Sequence, residues 1–348
     1  MEFKGLRAPW PSGVLPPGKA RRSISSKTFN PTQSSAGKDP SVSGIRPKRP
    51  NRSKTGPAAP RVDADHRRIA QPAQSCQITW LGHASFLIQL RGPAPFNLLV
   101  DPVLTTRRLG KLKRFVDPGL TPSELPVIHG VLITHEHGDH LDERTLQALS
   151  TDIPVIVPEG LGSFFDRRGW SDIRELGWWD STELPEMSAS PNRGDRRQDP
   201  PLITLTPARH GASSSGFFKK AIGLCGGFVI ENSNHAIYHA GDTAFFDGFT
   251  QVGSRFPQLD AALLPVGAYD RQEKVERRHL TPEEAGRAFL QTGAKRLIPM
   301  HWGTFQLSDE PLREGPDRLR SWWYHAALGD ERLLTEMAVG DTVGWESD

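Results

Sequence analysis

Cysteine is nearly absent from this chain of 348 residues, which carries only Cys76 and Cys225. Two thiols so far apart cannot build a disulfide framework and read as reduced, buried side chains of a cytoplasmic protein. Long apolar runs are missing too: no stretch approaches the ~18 apolar residues that a bilayer span needs. The opening MEFKGLRAPWPSGVLPPGKARR lacks the apolar core of a secretory leader. The expected location is therefore cytoplasmic, with peripheral contact at a membrane surface left open. Acidic residues are scarce at one end only. Residues 1–70 hold four (Glu2, Asp39, Asp63, Asp65) against 15 Lys/Arg, with ten prolines. Such a segment cannot bury enough apolar surface to offset the entropy of ordering, and it reads as a disordered basic arm. Residues 71–348 reverse the balance, with 28 basic and 36 acidic side chains. A mildly acidic domain without a basic, aromatic-interleaved surface argues against a nucleic-acid partner.

What is present begins near residue 76. Residues 77–81 (QITWL), 85–90 (SFLIQL) and 97–100 (NLLV) read as strands separated by short polar turns. Further strands are expected at 131–134, 153–157, 202–206, 226–230, 236–239, 261–265 and 296–300. Helices are expected over 143–149, 160–168, 281–291 and 316–326. The helix at 281 has the clearest start, Thr-Pro-Glu-Glu: a Thr cap, Pro in the first turn and acids facing the positive helix end. Residues 188–201 read as a surface loop. A strand meander followed by strands alternating with helices predicts a strand-rich sandwich layered with helices. No repeat of 20–50 residues is evident, although a sandwich of two similar halves can hide one.

The chemistry concentrates in His135-Glu136-His137-Gly138-Asp139-His140, between an expected strand and an expected helix. Three histidines and an aspartate packed into a core are costly unless paired or bound to a cation. An extended chain sends His135 and His137 to one side, while Asp139 and His140 lie past the strand end and can serve a second point. Two adjacent metal ions suit this spacing better than one. Imidazole and carboxylate without thiolate suit zinc, with manganese or iron as other divalent candidates. Partner ligands are expected at other strand ends: His210 in Thr206-Pro-Ala-Arg-His210, Asp242 in His239-Ala-Gly-Asp242-Thr243, and His301 in Pro299-Met-His301-Trp-Gly303.

This pattern resembles the metallo-β-lactamase superfamily, and within it the branch around N-acylphosphatidylethanolamine-hydrolysing phospholipase D. The resemblance is carried by Trp80-Leu-Gly-His83-Ala-Ser85, Thr134-His-Glu-His-Gly-Asp-His-Leu-Asp142, Ala240-Gly-Asp-Thr243 and Gly267-Ala-Tyr269. Two narrower segments, His279-Leu-Thr-Pro-Glu-Glu-Ala285 and His301-Trp-Gly-Thr-Phe305, separate this branch from most lactamases and nucleases. It covers residues 76–345 and implies an α/β (α+β) fold, a four-layer αββα sandwich, over a domain at 71–348. It implies two Zn2+ ions, one held by His135, His137 and His210, the other by Asp139, His140 and His301, with Asp242 bridging. A hydroxide shared by the two metals would attack phosphorus or a carbonyl carbon. Asp139, Asp242 and His279 are the expected catalytic group, Asp139 orienting the nucleophile and His279 lining the active site.

Around these, Asp101 is expected to steady a ligand histidine through its second nitrogen. His83 is divided between a structural bond and a site role. Trp178, Trp179, Trp302 and Phe305 are candidates for an acyl-chain groove, with core packing the alternative. His129 and His325 read as packing or surface histidines. The expected function is a zinc phosphodiesterase acting on an N-acyl phosphatidylethanolamine-type phospholipid. The alternative is a lactonase or other soluble hydrolase on a small molecule; a non-enzymatic binding protein would be expected to have lost a ligand. A homodimer is left open.

Overall fold

The computed structural model describes residues 55–91, 96–106, 112–184, 200–211, 223–269 and 278–346. The first sheet comprises β1 (Cys76–Gly82), β2 (Ser85–Leu90), β3 (Phe96–Val100), β4 (Gly130–Leu132), β5 (Val155–Pro158), β6 (Ile173–Leu176) and β14 (Thr342–Trp345), in the order β14-β1-β2-β3-β4-β5-β6. The second comprises β7 (Ser181–Glu183), β8 (Leu202–Pro207), β9 (Gly226–Glu231), β10 (Ala236–His239), β11 (Ala261–Pro265), β12 (Arg296–Met300) and β13 (Leu333–Leu334), in the order β13-β12-β11-β10-β9-β8-β7. Each sheet has an antiparallel half and a parallel half. β14 through β3 pair antiparallel and β3 through β6 parallel; β7 through β10 pair antiparallel and β10 through β13 parallel. The second sheet thus repeats the plan of the first, the duplication that a sandwich can conceal from sequence.

Both faces of the central strands are buried, which is why β1, β2 and β3 read as near-continuous apolar runs. Alternation sorts their side chains. Phe86, Ile88, Leu98 and Val100 join the core shared with β8 to β12, whereas Leu87 and Leu99 face an outer core with Val131, Val155, Phe164 and Phe165. That outer layer is covered by α1 (His66–Ala70), α2 (Glu143–Gln147) and α3 (Gly162–Asp166). On the second sheet α4 (Gly248–Arg255), α5 (Pro282–Thr292) and α6 (Glu314–Ala326) supply Phe249, Val252, Ala285, Phe289 and Leu319 to the core. The expected αββα layering is therefore present.

α5 begins as its sequence predicts: Thr281 Oγ1 accepts from Glu284 N at 3.3 Å and Glu284 returns a bond to Thr281 N at 2.9 Å, while Gly293 closes the helix in the left-handed region. Two expectations need correction. The basic arm does not extend to residue 70, because Ala59 and Ile69 are buried, Arg61 bridges to Val339 and α1 is capped by Asp65. Residues 1–54 lie outside the described residues, as does most of the expected loop at 188–201. Finally, β4 stops at Leu132, so His135 and His137 sit on a loop rather than a strand.

Candidate metal centre

The site forms where the C-terminal ends of several strands meet. The chain leaving β4 turns tightly, with the N–H groups of His140 and Leu141 donating to the His137 carbonyl at 2.9 and 2.8 Å. That turn, rather than strand alternation, sets the directions of His135, His137, Asp139 and His140. His210 follows β8, Asp242 follows β10 and His301 follows β12. Three non-glycine residues around the centre adopt positive φ: His83 (56°), Asp101 (44°) and His301 (63°). Such conformations carry strain of about 1–3 kcal/mol each and concentrate where side-chain placement matters. The loops are strapped together: His301 N–H donates to the His83 carbonyl at 3.0 Å, Trp80 Nε1 to the same oxygen at 2.9 Å, and His83 N–H to Thr304 Oγ1 at 2.8 Å.

Two donor sets face each other across Asp242. In the first, His135 Nε2 and His210 Nε2 lie 2.9 and 3.1 Å from His137 Nδ1. Asp242 Oδ2 is 3.7 Å from His135 Nε2 and 3.8 Å from His210 Nε2. In the second, His301 Nε2 lies 3.5 Å from Asp139 Oδ2 and 3.1 Å from Asp242 Oδ1, and His140 Nε2 lies 3.3 Å from Asp242 Oδ2. The opposite ring nitrogens say which atoms are free to ligate. His140 Nδ1 is 2.7 Å from Asp101 Oδ2, an acceptor, so it carries the proton and Nε2 presents a lone pair. Thr134 Oγ1 donates to Asp101 at 2.7 Å and therefore accepts from His135 Nδ1 at 2.9 Å. His210 Nδ1 donates to the Arg278 carbonyl at 2.9 Å. Lone pairs of His135 and His210 consequently converge on His137, an arrangement that one shared proton cannot satisfy and a cation can. His140 Nε2, His301 Nε2 and Asp242 Oδ1 are buried without hydrogen-bond partners. The residues fit bound metal.

Burial and neighbouring charge divide the imidazoles into two groups. Burial pushes His83 and His279 down to about 3 and His137 to about 4, keeping them neutral. Burial also opposes charge on Asp139 and Asp242, yet the surrounding imidazoles hold both carboxyls well below their usual range. Against burial, the Asp242 and Asp139 carboxylates raise His301 to about 9, and Asp242 and Asp101 raise His140.

All seven expected ligands are brought together, and Asp101 holds His140 as expected. His279 joins them: its Nδ1 lies 3.8 Å from Asp242 Oδ2, and its ring centre is 5.0 Å from that of His210. His83 is placed firmly at the site, with Nε2 3.0 Å from Asp139 Oδ2 and its ring 3.9 Å from that of His301. Ligand-type atoms of His83, Asp139, His140 and His301 lie within 4.8 Å of one another. The roles of Thr134 and the Arg278 carbonyl escape sequence reading: Thr134 opens the metal motif without showing which nitrogen of His135 it fixes, and a backbone oxygen carries no motif at all. The aromatic candidates divide. Trp302 packs on Trp80 in the core and Phe305 lies edge-on to His83, while Trp178 is exposed, its Nε1 donating to the Cys225 carbonyl at 2.9 Å. His129 accepts from Asn97 N–H at 2.8 Å, a packing role, and His325 is exposed.

Fold and site together define an αββα protein of the metallo-β-lactamase type, with the His/Asp cluster of a metal-dependent hydrolase. The chain belongs to the β-lactamase superfamily, whose domain model matches residues 96–302. It is 32% identical over 276 residues to an uncharacterized protein of Mycobacterium tuberculosis (strain ATCC 25618 / H37Rv), covering 76% of this chain and 68% of that one. It is 32% identical over 263 residues to a UPF0173 metal-dependent hydrolase of Pelotomaculum thermopropionicum, covering 74% and 96%. It is also 29% identical over 248 residues to a mitochondrial N-acyl-phosphatidylethanolamine-hydrolyzing phospholipase D of Saccharomyces cerevisiae, covering 69% of this chain and half of that one. A possible metal-dependent hydrolase from Veillonella parvula superposes with a TM-score of 0.59 at 17% identity, over 77% of this chain and 98% of that one, a likeness of fold.

Proposed function

We propose that this protein is a two-zinc hydrolase that cleaves the phosphodiester of N-acyl phosphatidylethanolamine-type phospholipids. The observation that carries the two-metal reading is the pair of donor sets that share Asp242, whose Oδ2 faces His135, His210 and His140 and whose Oδ1 faces His301. His135, His137 and His210 would hold one cation and Asp139, His140 and His301 the other, and Asp242 would serve both because a carboxylate has two oxygens. Cations held there supply Lewis acidity and lower the pKa of water toward neutrality. Asp139 is kept ionised by its imidazole neighbours and can hold the nucleophile's proton in one direction. His279, kept neutral by burial, binds a substrate oxygen through its ring N–H rather than acting as a strong acid. The phospholipid reading rests on the segments at His279–Ala285 and His301–Phe305 and on the yeast relative's name. It brings peripheral contact with a membrane surface as an expectation. No helix among the described residues is long and apolar enough to cross a membrane.

A second reading keeps the metals and changes the substrate to a lactone or another soluble small molecule. It is favoured by the Pelotomaculum relative, which this chain matches over nearly its whole length. The test pairs metal content by mass spectrometry with turnover of bis(p-nitrophenyl) phosphate and of dispersed N-acyl phosphatidylethanolamine. Two zincs per chain with lipid cleavage, lost to chelator and restored by metal, are expected. Two metals with neither phosphodiester cleaved would move the assignment to the soluble substrate, and absence of bound metal would end both readings.

A further inference from the structure

Ser75, His235 and Asp260 share no residue with the metal ligands, and they stand at the other end of the strands. Ser75 immediately precedes β1, whose far end leads into His83; His235 immediately precedes β10, whose far end leads to Asp242; Asp260 immediately precedes β11. Seven residues of β1 at roughly 3.3 Å each separate the two ends of the sandwich by about 20 Å. Three segments from two different sheets therefore meet there.

Their geometry is specific. Ser75 Oγ lies 2.7 Å from His235 Nε2, and His235 Nδ1 lies 3.0 Å from Asp260 Oδ2. The His235 side chain is fully buried and that of Asp260 is 13% exposed, whereas Ser75 is half-buried and reachable. Asp260 Oδ2 also accepts from Ala236 N–H at 3.2 Å, and Lys295 Nζ stands 3.7 Å from Oδ1. A carboxylate so placed is an acceptor, so the proton of His235 sits on Nδ1 and the Nε2 lone pair faces the serine hydroxyl. Ser75 has a competing acceptor in the Trp345 carbonyl, at the longer distance of 3.3 Å. The backbone fixes all three positions. Asn232 Oδ1 accepts from His235 N–H at 2.9 Å, Asp260 N–H donates to the Ala236 carbonyl at 2.8 Å, and Arg91 N–H donates to the Ser75 carbonyl at 2.7 Å. Nucleophile, base and orienting acid are recognised by such distances and roles, not by their order in the chain.

We propose that Ser75, His235 and Asp260 form a second, metal-independent nucleophilic site that accepts acyl groups from small carboxylic esters. Ser75 Oγ bonds to the ester carbonyl carbon while its proton passes to His235 Nε2. The bond to the alcohol oxygen breaks as that oxygen takes the proton from Nε2. Water then attacks the acyl-serine, returning a proton through Nε2 to Ser75 and releasing the carboxylic acid. Asp260 holds the imidazole in the required tautomer and offsets the positive charge it gains.

The test is labelling of the full chain, in EDTA, with a fluorophosphonate probe, read by peptide mass spectrometry, with a p-nitrophenyl acetate burst in parallel. An adduct on Ser75 is expected, absent in Ser75→Ala. Its rate should fall about 100-fold or more in Asp260→Asn, which keeps the shape and presents the wrong tautomer. His235→Gln should behave alike. Circular dichroism identifies any variant that fails to fold, in which case the other decides. No adduct on Ser75 in the parent protein, or an unchanged rate in a folded His235→Gln or Asp260→Asn variant, overturns the proposal.

Discussion

Asp101, just past β3 at φ 44°, takes the Thr134 N–H on one oxygen and both the Thr134 hydroxyl and His140 Nδ1 on the other, each at 2.7 Å. It touches no expected metal position, yet it decides which nitrogen of His140 is free and, through Thr134, which nitrogen of His135. Asp101→Asn places an amide N–H among these donors, so metal affinity should fall about 10–100-fold in a chelator-competition titration. Unchanged affinity would make Asp101 a purely structural residue. Asp242→Ala is expected to be more severe, because on the proposed two-metal reading both cations lose a ligand: bound metal should drop and hydrolysis should vanish, and normal turnover would sink the two-metal mechanism. The thiols give a check that needs no substrate. Burial pushes Cys225 up to about 12 and raises Cys76 well above its usual value. Thiolate is the reactive form, so at pH 8 both stay protonated and a disulfide reagent should titrate almost none until the chain is unfolded, when it titrates two. Fast reaction of the native protein at pH 8 would contradict that burial.

Elements that could be read from sequence were those whose periodicity and caps agree. β1 and β2 are short, largely apolar runs, β11 is wholly apolar, and α5 announces itself through Thr281, Pro282 and Glu284. Elements that could not be read depend on distant partners. α4 opens on Gly248 and places only Gly248, Phe249 and Val252 in the interior, so its sequence has little helical signature until it packs beside α5. β14 contains Gly344 and exists because β1 pairs with it, Cys76 opposite Trp345 and Thr79 opposite Thr342. The ligands were legible because three histidines and an aspartate in six residues have no packing explanation. Ser75, His235 and Asp260 were not, because each is an ordinary residue before a strand: the parallel register of β10 with β11 joins His235 to Asp260, and only the packing of the two sheets brings Ser75 to them. Close packing of elements also shapes the centre. A Cβ on Gly267, just beyond β11, would stand 2.1 Å from the His301 carbonyl. Gly267→Ala must therefore push the β11 exit away from His301, at a cost of about 1–3 kcal/mol as in other overpacked sites. A lower unfolding midpoint together with weaker metal retention is expected; loss of stability with metal retention intact would confine Gly267 to packing.

At the scale of the molecule, the two sheets are copies of one plan, and each contributes to the centre at matching places. The turn after β1 carries His83 and the turn after β8 carries His210; the chain past β3 carries Asp101 and the chain past β10 carries Asp242. A divided centre of this kind holds its geometry only while the sheets stay in register, and the segment before β1 contributes to that. Residues 55–70 run along the outside of both: Ala59 N–H donates to the Gly303 carbonyl at 3.0 Å, two residues past His301, and Val62 N–H to the Val339 carbonyl at 2.9 Å. Arg68 Nη1 donates to the Thr342 carbonyl at 2.7 Å, and Ile69 is buried with Leu87 and Leu99 beneath it. Burying a side chain such as Ile69 contributes about 1.5–3 kcal/mol, a sizeable fraction of the 5–15 kcal/mol that separates folded from unfolded domains. Two truncations then separate basic arm from strap. Removal of residues 1–54 should leave the unfolding midpoint, metal content and turnover of a soluble phosphodiester unchanged. Removal of residues 1–70 should lower the midpoint by several degrees and loosen metal, because the loop bearing His301 loses its contact with Ala59. If the longer deletion matched the shorter in both readouts, the strap would be dispensable, and the centre would be held by the sheets alone.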